Sequence, residues 1–489
     1  MNQKAYKISS LMKSAREINK NSEKQQEKTK IGDSSNKLFQ WLQQTQVVSQ
    51  DVEARKQKQD EKHFNPFTER EVKNPTTDCD TFTHLLKACL GTGILSMPKA
   101  FENSGLLIGL IATCLVGFVC THCSYILVKC AHILYYRTRR TQMSFADVAE
   151  TAFSTGPKWG RKYSTFFRYF IQICLFITYF GAVSVYTVII AKNFKSVLEQ
   201  YVKTDTSIQV LIACLLLPLI VLCWIPNLKY LAPFSMLANG FMGISLAITF
   251  YYLIKNIDPS RKVPLVGNIE NFPNFISITI FAMEAIGVMM PLENNMKTPQ
   301  NFVGIFGVLN KGMFFVTLIY ALLGFLGYYA FVDKTADTIT LSLGNDIPAQ
   351  LVQLFIALAV FLTFGLQFFV CLDIVWNGLK HRFQKKEVLA NYVVRTAIVT
   401  GAVLLAIAVP TIGPFIGLIG AFCFSILGLL IPIVIETVTY WDIGFGPGNW
   451  MIIKNVIIGI VGLIAVVAGS KNAIADIVAI YSVGENKSS

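Results

Sequence analysis

From residue 82 onward the chain alternates long apolar runs with short polar connections, and the first eighty residues contain no such run. The apolar runs fall at 82–101, 106–134, 164–191, 207–225, 228–254, 274–297, 302–331, 348–378, 389–409, 412–440 and 450–470. Each is of the order of the ~20 residues that one helical crossing of a bilayer requires. Lipid offers no partner to an unpaired N–H or C=O, so such runs predict helices and not open sheet. The expected fold is an all-α polytopic membrane protein of about eleven transmembrane helices, with residues 81–470 as the membrane domain.

Residues 1–80 are rich in Lys, Gln, Glu, Asn and Ser and are expected to form a largely disordered cytosolic tail. Leu38, Phe39, Trp41 and Leu42 are its one candidate element for docking a cytosolic partner. Met1 to Lys30 lacks an apolar core segment, so an internal span is expected to start insertion. Between the second and third runs, Ser144 and Asp147 form a capping-box pattern ahead of Phe145, Val148, Ala152 and Phe153 on one helical face. That pattern predicts a helix lying at the membrane interface. Residues 471–489 are expected to form an extracytoplasmic tail, in which Asn486 opens a glycosylation sequon.

Two of the runs are interrupted. The first carries Gly91-Thr92-Gly93 and then Pro98; the sixth carries Glu284, Gly287 and then Pro291. A glycine costs a helix interior about 1 kcal/mol and a proline about 3 kcal/mol relative to alanine. Inside a bilayer such a break survives only when buried in protein or lining a wet cavity. Gly93 and Gly287 lie 194 residues and five runs apart, hence at matching positions of a first and a second set of five. An odd repeat length inverts the second set, so the pattern predicts a 5+5 inverted repeat plus one extra helix, the build of a secondary transporter. The amino ends of half-helices suit a carboxylate, and their carboxyl ends and unwound carbonyls suit a cation or ammonium group. A zwitterionic amino acid needs both in one place.

Glu284 is the most informative single residue. A charge at mid-span costs at least about 2.5–3.5 kcal/mol, which a carboxylate relieves by protonation, by pairing, or by accepting N–H bonds. It reads either as a proton carrier beside the substrate or as a stabiliser of the helix break. His84, two turns before Gly91, belongs to the residue type that titrates nearest neutral pH and is a second candidate for proton coupling, or else a headgroup-region histidine. Lys87 reads as snorkelling to the interface, and Asp373 and Glu436 as gate or loop partners. Tyr179 on the third run and Thr363, Phe364 and Gln367 on the eighth are candidate wall residues.

Composition narrows the function classes. Of 489 residues 53% are apolar and 15% charged, with mean hydropathy +0.49, against about 25% charged in a soluble domain. The net charge of +13 does not imply a nucleic-acid partner, because the tail's fifteen bases face twelve interleaved acids and most of the remainder flanks the apolar runs. Bases there set topology and meet anionic lipid. Arg137, Arg139, Arg140, Lys158, Arg161, Lys162, Lys380 and Arg382 fall on one side together with the tail, so the N-terminus is expected in the cytosol. Ten of the eleven cysteines lie in or beside apolar runs, and none has zinc-ligand spacing. No cofactor or metal is expected. The absence of a Walker A motif argues against an ATP-driven pump.

The stretches His84 to Pro98 with Ser104-Gly105, and Phe281 to Lys297, resemble the proton-coupled amino acid transporters of the amino acid/auxin permease group. Asp337 to Leu341 and Leu366 to Phe369 match more weakly, and the resemblance spans roughly residues 80–475. It implies eleven spans, a cytosolic N-terminus, and uptake or lysosomal export of small neutral amino acids with protons. It places Gly91, Thr92 and Gly93 at the substrate, Glu284 beside it, and His84 at the family's proton-coupling histidine. With the residues above, the expected substrate set is Gly91, Thr92, Gly93, Ile94, Tyr179, Phe281, Glu284, Gly287 and Phe364, and the proton set is Glu284 and His84.

Ala88 and Ala285 stand where members commonly carry glycine, and the added methyls point to a smaller pocket or a changed substrate. Gly365 and Cys371 stand where prolines are expected, and the outer loops lack the cysteines of a disulfide found in some relatives. The leading reading is a proton symporter of the plasma or lysosomal membrane, with sodium left open as the coupling ion. An amino acid sensor signalling through the tail, an uncoupled carrier and a channel are the alternatives, and an enzyme is excluded for want of a catalytic constellation.

Overall fold

The computed structural model describes residues 64–72, 75–202, 206–225, 228–283, 285–344, 346–383 and 386–485. The patch at Leu38–Leu42 and the Asn486 sequon lie outside the described residues, as does Glu284. The chain divides into two units, Met1–Glu69 and Arg70–Ser489. Of the first, residues 64–69 form a turn in which Thr68 and Glu69 donate backbone N–H groups to the Asn65 carbonyl. The second holds the membrane helices.

Among the described residues nine helices are long and apolar enough to cross a membrane, and a tenth apolar helix, Ile208–Cys223, is shorter. The eleventh element is the broken first span, made of helix α1 (Asp78–Cys89), a 3-10 turn at Thr92–Ser96, and α2 (Met97–Ser104). The sixth span is likewise α3 (Phe272–Met283) followed by α4 (Ile286–Asn294). The protein is thus an all-α, multi-pass membrane protein, as expected. A helix is present at Phe145–Thr155, and its capping box is formed as predicted: the Asp147 N–H donates to the Ser144 hydroxyl while Asp147 accepts from the Ser144 N–H.

The packing of the spans repeats with a shift of five. The first span packs on the sixth, the second on the seventh, the third on the eighth and the fourth on the ninth. The fifth packs on the seventh and eighth, and the tenth correspondingly on the second and third. The tenth also packs on the sixth, an approach that the fifth and first do not match, so the contacts repeat in part.

Three features depart from expectation. The sixth span breaks at Ala285 (φ −134°, ψ 18°) and not at Gly287, which lies in the first turn of α4. Pro291 sits inside α4, where it has no N–H to give the Gly287 carbonyl four residues back. The tenth span is not a plain α-helix: Ile419–Phe424 and Ile426–Leu430 are π-helical, a wider winding that lets Gly420 sit against the Ser277 carbonyl of α3. Finally, the eleventh span does not stop at 470 but continues through Ala465–Gly469 into a helix at Ser470–Glu485. Lys471, Asn472 and Asp476 lower its hydropathy, yet Asn472 donates to the Glu270 carbonyl and Asp476 accepts from Asn274, so its polar groups are partnered on the sixth span's entry.

The first and sixth spans are also joined at their far ends. Gly105 has φ +79°, and its N–H donates to the Phe101 carbonyl. The Gly267 N–H donates to the Ser104 carbonyl, and Leu106 and Leu107 donate to the carbonyls of Pro264 and Leu265. A Cβ on Gly105 would lie 2.5 Å from the Gly267 nitrogen. Gly105→Ala therefore combines left-handed strain with overpacking and is expected to destabilise by about 1–3 kcal/mol. Thermal unfolding in detergent checks this, with Gly240→Ala, where no atom lies within 4 Å, as the unperturbed control.

Candidate substrate site

The two breaks face each other. At the first, the chain leaves helix after Cys89; Gly91 is extended (φ −93°, ψ −158°), and its N–H turns back to the Cys89 carbonyl. The Tyr320 hydroxyl of the seventh span donates to that same carbonyl. At the second, the Val288 N–H returns to the Ala285 carbonyl and starts α4. A Cβ on Gly93 would lie 2.5 Å from the Cα of Ala282, so the absence of a side chain at Gly93 sets how closely the spans approach.

Between the breaks lies a cavity of about 90 Å³, the space of about three water molecules at roughly 30 Å³ each. Its walls bring together Gly91, Thr92, Gly93, Tyr179, Phe281 and Gly287 from the expected set, together with Gln367 of the eighth span. Ile94 and Phe364 do not reach it: both are fully buried in the packing between helices. For Ile94 the reason is angular, since in the 3-10 turn it follows Gly93 by about 120° around the axis. His84 is exposed on α1 and does not line the cavity, whose nearest wall residue on that helix is Ala88, about one turn on.

Reading of the residues missed Tyr186, Phe424 and Cys89, which also line the cavity. Tyr186 was within reach, because it follows Tyr179 by seven residues, two helical turns, on the same face. Its hydroxyl accepts from Gln367 Nε2 at 3.4 Å. Phe424 is presented by the π-helical segment, whose phase no 3.6-residue periodicity reveals, and its ring meets Phe281 edge-on at 5.7 Å. A much larger groove of about 920 Å³ runs between the second and seventh spans past Phe118 and Phe314, but it is almost wholly apolar and touches neither break.

The site therefore offers two polarities at one place. The carboxyl ends of α1 and α3 bring negative dipole ends, and the Gly287 carbonyl lacks its helical donor because of Pro291. The amino ends of the Thr92–Ser96 turn and of α4 bring the positive dipole ends. Phe281, Phe424 and Val288 supply the apolar wall.

The two breaks thus face one cavity inside a multi-pass membrane bundle. Residues 74–475 match the family described as transmembrane amino acid transporter protein, and the chain belongs to that family. It is 58% identical over 424 residues, 86% of this chain and 90% of the other, to the proton-coupled amino acid transporter-like protein pathetic of Drosophila melanogaster. It is 26% identical over 438 residues, 84% of this chain and 96% of the other, to the amino acid transporter ANT1 of Arabidopsis thaliana. It is an amino acid transporter and not an enzyme.

Gly287 supplies a local test of the site. A Cβ there would lie 2.5 Å from the Tyr179 hydroxyl and 3.2 Å from its ring. Gly287→Ala is expected to lower substrate uptake by at least about tenfold, the equivalent of ~1.4 kcal/mol. Adding Tyr179→Phe removes the nearest atom and should recover part of the loss. Uptake assays on the two single variants and the double variant read the coupling.

Proposed function

We propose that this chain carries small neutral amino acids together with protons by alternating access. The observation that carries this reading is the pair of helix breaks facing one small cavity. A carboxylate is accommodated at the amino ends of the second half-helices and an ammonium group at the carbonyls of the first. The confined volume, narrowed further by the Tyr179 hydroxyl against Gly287, leaves room only for a short side chain against Phe281 and Phe424.

Proton coupling is assigned to Glu284, between Met283 of α3 and Ala285 at the start of α4. A carboxyl at a broken span exchanges its burial penalty for protonation as the site opens and closes. The Drosophila melanogaster relative is named a proton-coupled amino acid transporter-like protein, which supports proton coupling as such. His84 is left out because it lies away from the cavity. The N-terminus is placed in the cytosol, following the basic connections. One pH unit supplies about 1.4 kcal/mol per proton and 100 mV about 2.3 kcal/mol per charge, enough together for a gradient of several hundred-fold.

Reconstitution into liposomes tests this reading. With an acidic exterior, labelled glycine, alanine or proline should accumulate above equilibrium, and a protonophore should abolish accumulation. Uptake that follows sodium and ignores pH would overturn the proton assignment; saturable binding without flux would turn the protein into a sensor. Glu284→Gln should cut pH-driven accumulation at least about tenfold while leaving exchange of internal for external substrate.

A further inference from the structure

The second half of the broken sixth span is clamped at its far end. Glu293 of α4 is wholly buried, six residues beyond Gly287, which is roughly 9 Å along a helix rising ~1.5 Å per residue. Arg70 Nη2 lies 3.0 Å from Glu293 Oε1, and Arg70 Nη1 donates to the Glu293 backbone carbonyl, also at 3.0 Å. Tyr135 donates its hydroxyl to Oε2 at 3.0 Å, and His132 Nε2 lies 3.1 Å from Oε1, both from the second span. The Arg70 guanidinium stacks over the Tyr135 ring at 5.2 Å. Only 2% of the Arg70 side chain is exposed.

The strap that carries Arg70 is fastened further along. The Thr76 N–H donates to the Asn295 carbonyl at 2.8 Å, and the Lys297 N–H donates to the Thr76 carbonyl at 2.9 Å. Asp78 then accepts from Thr298 and Asn301, each at 2.7 Å. Arg70 and Thr76, which precede α1 in sequence, and Asp78 at its start therefore hold a half-helix whose other end forms part of the cavity wall.

We propose that Arg70 and Glu293 are the bolt of the gate on the N-terminal side of the membrane, positioning α4 so that the cavity is closed to that side. This rests on the alternating-access reading above. The physical case lies in what a buried ion pair does. Closed, its desolvated charges are satisfied in one geometry only, so α4 has one seat and no continuum of positions. Opened, water enters and solvates both charges, so the closed state is favoured only modestly over the open one. An apolar plug of equal area would lack that second, hydrated state. The strap makes the bolt removable, because Arg70 comes from outside the helical bundle and need not drag a span with it.

Cys89 provides the readout, since it is buried, lines the cavity and can be located by peptide mapping. Membrane vesicles of both orientations are treated with an impermeant maleimide, and the modification of Cys89 is followed by mass spectrometry. Arg70→Ala should raise the labelling rate from the N-terminal side at least tenfold. Arg70→Lys should fall between that variant and the unaltered protein, and the exchange Arg70→Glu with Glu293→Arg should restore slow labelling. Labelling of Arg70→Ala at the unaltered rate, or faster labelling from both sides alike, overturns the proposal. If Arg70→Ala is not recovered from the membrane, Thr76→Pro decides. It removes the N–H that Asn295 accepts and spares the ion pair, so faster one-sided labelling supports the gate and an unchanged rate overturns it. The readout is access and not flux, so failure here is distinguishable from failure of the transport reading.

Discussion

A helix that breaks inside a bilayer leaves N–H and C=O groups with no water to receive them, and such a break persists only where protein surrounds it. Here the two breaks shelter each other. Gly93 presents bare backbone to Ala282, close enough that a single Cβ would fall 2.5 Å from its Cα. Tyr320 adds a hydroxyl to the Cys89 carbonyl that the break exposes. The rest of the bundle follows from keeping this contact. Small residues recur wherever another span leans on the pair: Gly420 of the tenth against the Ser277 carbonyl, Gly469 of the eleventh against the Ser277 hydroxyl, and Gly327 of the seventh against Pro98. In lipid, where apolar side chains gain little by leaving their surroundings, such close backbone approach is the main source of helix association.

The breaks were legible because they are written in backbone chemistry. Glycine, proline and a mid-span carboxylate each carry a cost that needs a reason, and their recurrence 194 residues apart supplied it. The capping box at Ser144 and Asp147 was legible for the same reason, as a local motif complete within four residues. What escaped was non-local. Phase changes in the tenth span leave no mark in its run of Ile, Leu, Gly and Phe, so Phe424 could not be pointed at the cavity from sequence. The eleventh span looked finished at 470 because Lys471, Asn472 and Asp476 break its hydropathy; the partners of Asn472 and Asp476, at Glu270 and Asn274, are two hundred residues away. Residues 70–78 looked like tail because nothing in a polar segment announces a buried partner at Glu293.

The expected wall residues separate along the same line. Gly91, Thr92, Gly93 and Gly287 are constrained by the breaks themselves, and all four line the cavity. Ile94 and Phe364, named with them as wall residues, are instead fully buried between helices, Ile94 because the 3-10 turn carries it about 120° past Gly93. Tyr179 and Tyr186 illustrate the better rule, two turns apart on one face and both lining the cavity. Spacing along a helix carries direction, whereas adjacency does not.

The two sides of the cavity are closed by different means. Beyond the ends of the third and seventh spans, Lys192 and Asp337 approach to 3.7 Å with about a quarter of each side chain exposed. A pair of that kind, partly solvated and loosely held, contributes about 0–1 kcal/mol. Closure there falls instead to the turn that carries Asp337, where Thr338, Ile339 and Thr340 are fully buried and Gln353 of the eighth span donates to the Thr340 carbonyl. That turn packs across Gly327, the position that also receives Pro98 of α2, so it rests directly on the second half of the first span. The second half of the other broken span is α4, and α4 is held by the buried Arg70–Glu293 pair. Each broken span thus has its second half secured by chain from outside the membrane helices: a loop of packed threonines and isoleucine on one side, a charged strap on the other. On the proposed gating, one side opens by parting packed side chains and the other by hydrating two buried charges, so the two second halves are held by interactions of different kinds.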